Sequence, residues 1–491
     1  MSRFNIFSRK PQSTDTEMTV NRAGGEAYRT SAEYRLASLL MTNFVTDQYY
    51  RTISESLNEL KELIKEVDPG FAARAAVYAR HEFGMRTITH VAAALLSKRL
   101  SGHAEARAFY DRIVFRPDDM LEITAALRAL HDAKLTNGMK KGFATAFDRF
   151  DGYQLAKYRA EGKAVKLVDL VNMVHPVPTQ RNAEALQMLV DGTLTNTQTW
   201  EAKLSAAGTE ATSAEDKASR KAAAWTELVK EGKLGYFALL RNLRNLLEQA
   251  PELMPLICAQ LTDGVRLRKS KVLPFRLLTA YKQITDSTPA ARLVRSALET
   301  AADLACANMP ALENTLVVVD NSGSMSSPVA GSQHVKCNET GALFAFALAK
   351  RSNADLMEFG TSSRMISYNL RQSALDFARK FEHQNEVGHG TDFKSIFQGL
   401  QRSYDRIVIF SDMQGWVGHW SPKEAFAKYR KRTGADPFLY MVDLRGYGTL
   451  QFPESKVATL AGFSEKMFET MALAEADPRA LIHRIEAIEL S

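Results

Sequence analysis

The stretch TLVVVDNSGSM, from Thr315 to Met325, constrains this chain more than any other, because a run of four apolar residues delivers a carboxylate and two hydroxyls to one turn. Leu316 to Val319 form the short continuous apolar run expected of a central parallel strand covered on both faces. Asp320 then stands at the carboxyl edge of that strand, the edge where open α/β sheets bind their ligands. Asp320, Ser322 and Ser324 at alternate positions line a turn with oxygen and offer no thiolate or imidazole. That donor set suits one hard divalent cation, Mg2+ first and Mn2+ as the alternative, rather than zinc.

Two later segments supply further oxygens. RIVIFSD over 406–412 reads as a second buried strand ending in Asp412, and GHGTD over 388–392 is a glycine-rich turn that presents Thr391 before a helical pattern at 393–404. Asp320, Ser322, Ser324, Thr391 and Asp412 together resemble the metal-ion-dependent adhesion site of the von Willebrand factor A domain. The resemblance implies that both serines and the threonine ligate the ion while the aspartates act directly or through water. With few charged ligands the ion stays electrophilic and takes a carboxylate from a partner protein as its last ligand. That is binding, not catalysis. An aspartyl phosphatase is the nearest enzymatic alternative, but it would need a second acid where Ser322 stands.

A chain of 491 residues exceeds the size at which one hydrophobic core stops growing, so more than one domain is expected. With 45% hydrophobic and 24% charged residues, a soluble globular protein is expected. The three cysteines, Cys258, Cys306 and Cys337, are far apart and odd in number, which argues against a disulfide framework and for a reducing cytoplasm. Residues 1–19 read as a flexible tail without the apolar core of a signal peptide, and no eighteen apolar residues run together, so no membrane association is expected.

Before Leu312 the pattern is helical, with no convincing strand. Apolar residues recur at three- and four-residue spacing over 32–42, 70–82, 89–99, 118–131, 167–174, 183–190, 236–249, 252–261 and 289–307. The polar stretch 205–224 reads as a mobile loop or a solvated helical insertion. After Leu312 strands alternate with helices: strands at 316–320, 354–359, 407–412 and 437–443, helices at 340–350, 374–381, 393–404 and 423–432. That alternation is the signature of a parallel sheet. The expected fold class is therefore α + α/β, an all-α region over 20–309 of stacked helix pairs of the HEAT kind, followed by a doubly wound Rossmann-like domain over 310–491.

Charge is unevenly placed. The first 310 residues carry 43 basic and 35 acidic side chains, the remainder 20 and 21, so the whole excess of +7 lies in the helical part. A basic surface of this kind points to a polyanion such as nucleic acid, or to a solvated face with no ligand.

Several local motifs, in order, resemble the Ro autoantigen family of TROVE-domain proteins. YFALLRNL over 236–243 is similar to that family's Ala-Leu-Leu-Arg-Asn-Leu signature, and VLPFRLLTAYK over 272–282 to its Leu-Pro-Phe helix start. KYR at 157–159 followed by DLVNMVHP at 169–176 resembles its RNA-contacting segment. The resemblance implies a monomeric closed ring of helical repeats, spanned by the A domain, with a hole wide enough for single-stranded RNA. It implies that small structured noncoding Y RNA binds the outer face, that 3′ ends of misfolded RNA thread the hole, and that in bacteria Y RNA tethers the exoribonuclease polynucleotide phosphorylase.

Lys157, Arg159, Lys163 and Lys166 supply phosphate-binding charge on one short stretch, and His175 can hydrogen-bond or stack. A second basic cluster includes Arg241, Arg244, Arg268, Lys269 and Lys271. Ala160 and Glu161 stand where the family often has further basic residues. The segment from His81 to His90 reads as a helix connection or a part of the hole. The expected function is non-enzymatic RNA binding in noncoding-RNA quality control. The rival readings are a protein-interaction scaffold without RNA and a metal-dependent hydrolase using Asp392 or His389 as its base.

Overall fold

In a computed structural model the described residues are 17–490 apart from 197–198, 286, 308, 330–333, 382–385, 418–420, 454–455, 465 and 478. The greater part of the expected tail, residues 1–16, lies outside them, while Met18–Val20 is a strand.

Helices follow one another from Ala32–Thr42 to Pro289–Ala305, each started by local chemistry. Thr52 and Glu55 form a reciprocal capping box at the head of Ile53–Glu66, and Asp68 with Pro69 at the first helical position opens Pro69–Glu82. Helices two apart in sequence pack side by side, as Thr87–Arg99 does on Pro117–His131 and Ala106–Arg112 on Asn137–Ala146, so the series stacks as layers of helix pairs. The second packing needs glycine. A β-carbon on Gly142 would sit 2.6 Å from the Arg107 carbonyl oxygen, and one on Gly138 would sit 2.7 Å from Ala106 Cβ. The stretch expected to be mobile or solvated is two helices, Trp200–Thr209 and Ala214–Lys230; the first buries no side chain, and the second only Trp225, Leu228 and Val229.

The carboxyl-terminal region holds a six-stranded sheet. We number the strands of the chain β1 (Met18–Val20), β2 (Glu26–Arg29), β3 (Thr315–Asp320), β4 (Asp355–Phe359), β5 (Ser363–Ile366), β6 (Arg406–Ser411), β7 (Phe438–Asp443), β8 (Thr449–Leu450) and β9 (Val457–Ala461). The sheet order is β5-β4-β3-β6-β7-β9, parallel except for the edge strand β5. β3 is central and wholly buried: Val317 and Val319 enter one apolar cluster while Leu316 and Val318 enter another on the opposite face. Its carboxyl end therefore lies beside those of β4 and β6, and the connecting loops converge there.

Two expectations are corrected. β1 and β2 precede Leu312; β1 pairs with β2, and β2 with β8 more than 400 residues later, Tyr28 opposite Leu450. Strands of three and four residues, one exposing Met18 and Val20 and the other without strict alternation, carry little local signal; the distant partner of β2 completes them. The helix expected over 393–404 is Phe393–Gln398, ending at Gly399.

The two ends of the helical series and the sheet domain meet. Phe44, Phe275 and Phe463 form a triangle with ring centroids 5.8 to 6.0 Å apart, and the Lys271 ammonium donates to the His81 carbonyl. Among the described residues no helix is long and apolar enough to cross a membrane.

Candidate metal centre and nucleic-acid interface

Asp320, Ser322, Ser324, Thr391 and Asp412 all come to the carboxyl edge of the sheet, none more than 4% exposed. The Ser322 amide donates to Asp320 Oδ1 at 2.8 Å and the Ser411 hydroxyl to Oδ2 at 2.5 Å. Ser322 Oγ and Ser324 Oγ are 3.4 Å apart, and the Gln414 amide donates to Asp412 Oδ1 at 3.2 Å. The Gly323 amide donates to the His389 carbonyl at 2.9 Å, and the Trp416 amide to the Thr391 carbonyl at 3.2 Å, which stitches the three loops together. Gly360, just after β4, admits this packing: a β-carbon there would lie 2.3 Å from the Gly388 carbonyl oxygen.

The electrostatics of the centre are unbalanced. Burial, and then the neighbouring Asp412 charge, push the Asp320 carboxyl up to about 7, and burial likewise raises Asp412. Asp412 Oδ2 is buried and has no hydrogen-bond partner among the described residues. Two carboxylates that resist ionisation side by side, one with an idle oxygen, and three adjacent hydroxyls fit a hard divalent cation. Among the described residues no group of three or more His, Cys, Asp or Glu side chains could hold a metal, so a cation here would depend on the hydroxyls.

Sequence reasoning missed three neighbours. Asp443, at the end of β7, accepts from the amides of Arg445, Gly446 and Gly448 at 2.9, 2.7 and 3.2 Å, and burial pushes its carboxyl up to about 6. Its position as a further acid at a strand end was the available signal. Tyr447 and Tyr50 lie within the field of Asp412, the Tyr50 amide donating to the Tyr447 hydroxyl at 3.3 Å, and Tyr50 comes from the helical region, where no periodicity marks it. Asp392 accepts the Lys394 amide at 3.0 Å as the cap of its helix.

The basic candidates divide into exposed and engaged groups. The Leu167 amide donates to the Arg159 carbonyl at 3.0 Å, folding the 158–166 turn onto the head of the helix Leu167–Val174, while exposed His175 closes that helix in a left-handed conformation. Lys163 is exposed and Lys166 partly so. Lys157, by contrast, pairs with Glu201 at 3.2 Å and lies over the Trp200 ring, and Arg159 donates to the Leu194 carbonyl. Arg241, Arg268 and Lys269 are exposed, Arg244 pairs with Glu248 one turn on, and Lys271 is engaged at the junction with His81. His90, within the segment read as a connection, is buried against Asp119.

A layered helical region closed against a parallel-sheet domain with an oxygen-lined centre defines an A-domain protein fused to helical repeats. The family model described as the TROVE domain matches residues 17–220 and 192–330, and that described as the Ro60 vWA domain matches 314–472. The chain belongs to the Ro family of TROVE-domain proteins. It is 25% identical over 486 residues to "RNA-binding protein RO60" of Deinococcus radiodurans, covering 88% of this chain and 90% of that protein. It is 27% identical over 197 residues to the Caenorhabditis elegans protein of the same name, 36% of this chain and 29% of that one. A shorter likeness, 21% over 315 residues, is to "Telomerase protein component 1" of Rattus norvegicus, of which it covers 12%. The crystal structure of the Deinococcus radiodurans Ro protein shares the fold, with a TM-score of 0.57 at 21% identity over 91% of this chain and all of that one.

Proposed function

We propose that this chain is a non-catalytic, cytoplasmic RNA-binding protein that holds a small structured noncoding RNA of the Y RNA class and takes single-stranded 3′ ends of misfolded RNA toward degradation. The observation that carries this is the set of exposed Lys163 and His175 and partly exposed Lys166 at the two ends of one helix, in a chain whose relatives are named as RNA-binding proteins. Cations without protein partners are free to neutralise phosphate, and an exposed imidazole can stack on or hydrogen-bond a splayed base. Arg241, Arg268 and Lys269 extend the basic surface. The closed helical series is the ring through which 3′ ends pass, and polynucleotide phosphorylase, tethered through the RNA, is the nuclease partner.

The A-domain centre is a binding site for one Mg2+, or Mn2+, held by Asp320, Ser322, Ser324, Thr391 and Asp412. Against hydrolysis there, Asp392 already caps its own helix. The test is to purify the protein from its native cytoplasm and sequence what comes with it. One dominant small RNA together with assorted 3′ fragments is expected, with affinity falling steeply as salt is added. Copurified protein without RNA, held equally at low and high salt, would replace this reading with a protein scaffold.

A further inference from the structure

Where the two ends of the helical series meet they enclose a cavity of about 310 Å³. Phe44 and the turn at Met85 and Arg86 come from the beginning of the series; Phe237, Lys271 and Arg276 come from its end. The lining includes these three cationic side chains and no acid. Two of them already have partners outside the lining: Arg86 pairs with Asp118 at 2.7 Å, and the Lys271 ammonium donates to the His81 carbonyl and lies 3.9 Å from Glu82. Arg276 is different. Its half-buried guanidinium makes no hydrogen bond or ion pair among the described residues and lies 4.8 Å from the centre of the adjacent Phe275 ring. Burial lowers it from the ordinary arginine value, and no neighbouring acid offsets that cost. A partly desolvated guanidinium with idle N–H donors is stabilised by any anion that reaches it. The rest of the surface argues for more than a bare anion. Phe237 is 44% exposed on a helix whose Leu239, Leu240, Leu243 and Leu246 are buried, and with Phe44 and Met85 it gives the cavity an apolar side.

We propose that this cavity is a nucleotide site: Arg276 takes the phosphate, Arg86 and Lys271 add positive potential, and the Phe237 ring stacks on the base. Guanidinium and phosphate match as fork to oxyanion, and an aromatic ring accepts any base on its π-face. A volume of this size falls at the small end of ordinary ligand pockets, which suits one nucleotide. Because the walls come from both ends of the helical series, an occupied site ties those ends together, and whatever binds there stabilises the closed arrangement. A phosphate ester carrying a base can come from a free nucleotide or from one unit of a bound strand. The cavity carries this independently of the strand-binding residues between 163 and 175.

The test is equilibrium dialysis of the full chain against adenosine monophosphate, adenosine and inorganic phosphate. The monophosphate should bind, and adenosine or phosphate alone should bind at least about tenfold more weakly. Arg276→Met should lose about tenfold or more in affinity for the monophosphate yet melt no lower than the wild type, since the guanidinium it removes holds no acceptor in the fold. Phe237→Ala should weaken the monophosphate and leave phosphate unchanged. Saturating oligouridylate separates the two sources: displaced monophosphate marks a unit of a bound strand, and retained monophosphate marks a free nucleotide. No uptake of the monophosphate at about 1 mM, or equal uptake by wild type and Arg276→Met, overturns the site. Phosphate bound as tightly as the monophosphate overturns it too. If Arg276→Met does not fold, Phe237→Ala decides alone, and undiminished affinity for the monophosphate there overturns the proposal. Monophosphate uptake by a chain that binds no RNA would keep the site and remove the RNA reading. RNA bound alike by wild type and Arg276→Met, with no monophosphate uptake, would do the reverse.

Discussion

Two clusters of buried aspartate in this protein look alike by burial and differ in everything else. Asp119 accepts Arg80 at 2.8 and 3.1 Å, His90 at 2.8 Å and the amides of Phe115 and Arg116 at 2.8 and 2.9 Å. Burial alone would raise its carboxyl, but the hydrogen bond from His90 and the Arg80 charge outweigh burial and hold it well below the ordinary carboxylate range. Asp320 and Asp412 are as deeply buried, yet among the described residues they accept only from hydroxyl and amide groups, the Arg445 charge does not offset the burial of Asp412, and both are raised. A buried acid whose charge the protein itself satisfies is architecture, whereas one left unsatisfied at a sheet edge keeps the capacity to take a further partner.

The largest test of that contrast is Arg80→Met. Removing one partner of a buried ion pair should cost about 3–5 kcal/mol in urea unfolding, and a loss below about 1 kcal/mol would deny Asp119 its structural role. Next comes the metal. At a hundredfold excess over its Kd, Mg2+ should raise wild-type stability by about 2.7 kcal/mol, with no gain in Asp320→Asn; equal gains in both would remove the centre from the comparison.

The pH dependence should then have opposite signs at the two clusters, each group contributing at most about 1.4 kcal/mol per pH unit. Asp119, depressed in the folded state, stabilises fully above its unfolded value near pH 4, and that contribution is lost as pH falls through the folded value. Asp320, raised to about 7, retains a proton that the unfolded chain loses from roughly pH 4 upward, so without metal stability falls as pH rises to about 7 and then levels. Melting profiles of the metal-free wild type and of Asp320→Asn separate the two, since the neutral-side decline should be shallower in the variant, where Asp443 and Asp412 still contribute but Asp320 does not. The smallest effect sharpens the same distinction on the surface. Lys163→Ala should reduce the slope of log affinity for RNA against log salt by about 0.7–0.9, whereas Lys157→Ala, already paired with Glu201, should change it less.

Much of this was legible in the sequence because the signals were local. The apolar run before Asp320 read as a doubly covered strand and is one, and helix periodicity placed Ala32–Thr42, Leu167–Val174, Ala183–Val190 and Tyr236–Gln249 residue for residue. All five oxygen-bearing residues of the centre were read from strand ends and a glycine turn. β5 and β9 were missed: SRMI is a half-exposed edge strand, and VATLA is a short one laid beside β7 only after a long connection. Lys271 was read with the RNA-facing cations, but its chemistry alone does not say that its ammonium meets the His81 carbonyl 190 residues away.

The sequence by itself determined that a helical region precedes a parallel-sheet domain and that hydroxyls and two acids gather where its strands end, because periodicity and strand-end chemistry are properties of short windows. Tertiary structure decided the rest: that the amino-terminal strands belong to a sheet completed near Leu450, that Asp119 is paired with Arg80 and Asp320 with no cationic side chain among the described residues, and that Tyr50 meets Tyr447. Each of those depends on groups brought together across hundreds of residues, where no local pattern reports which charge will find a partner.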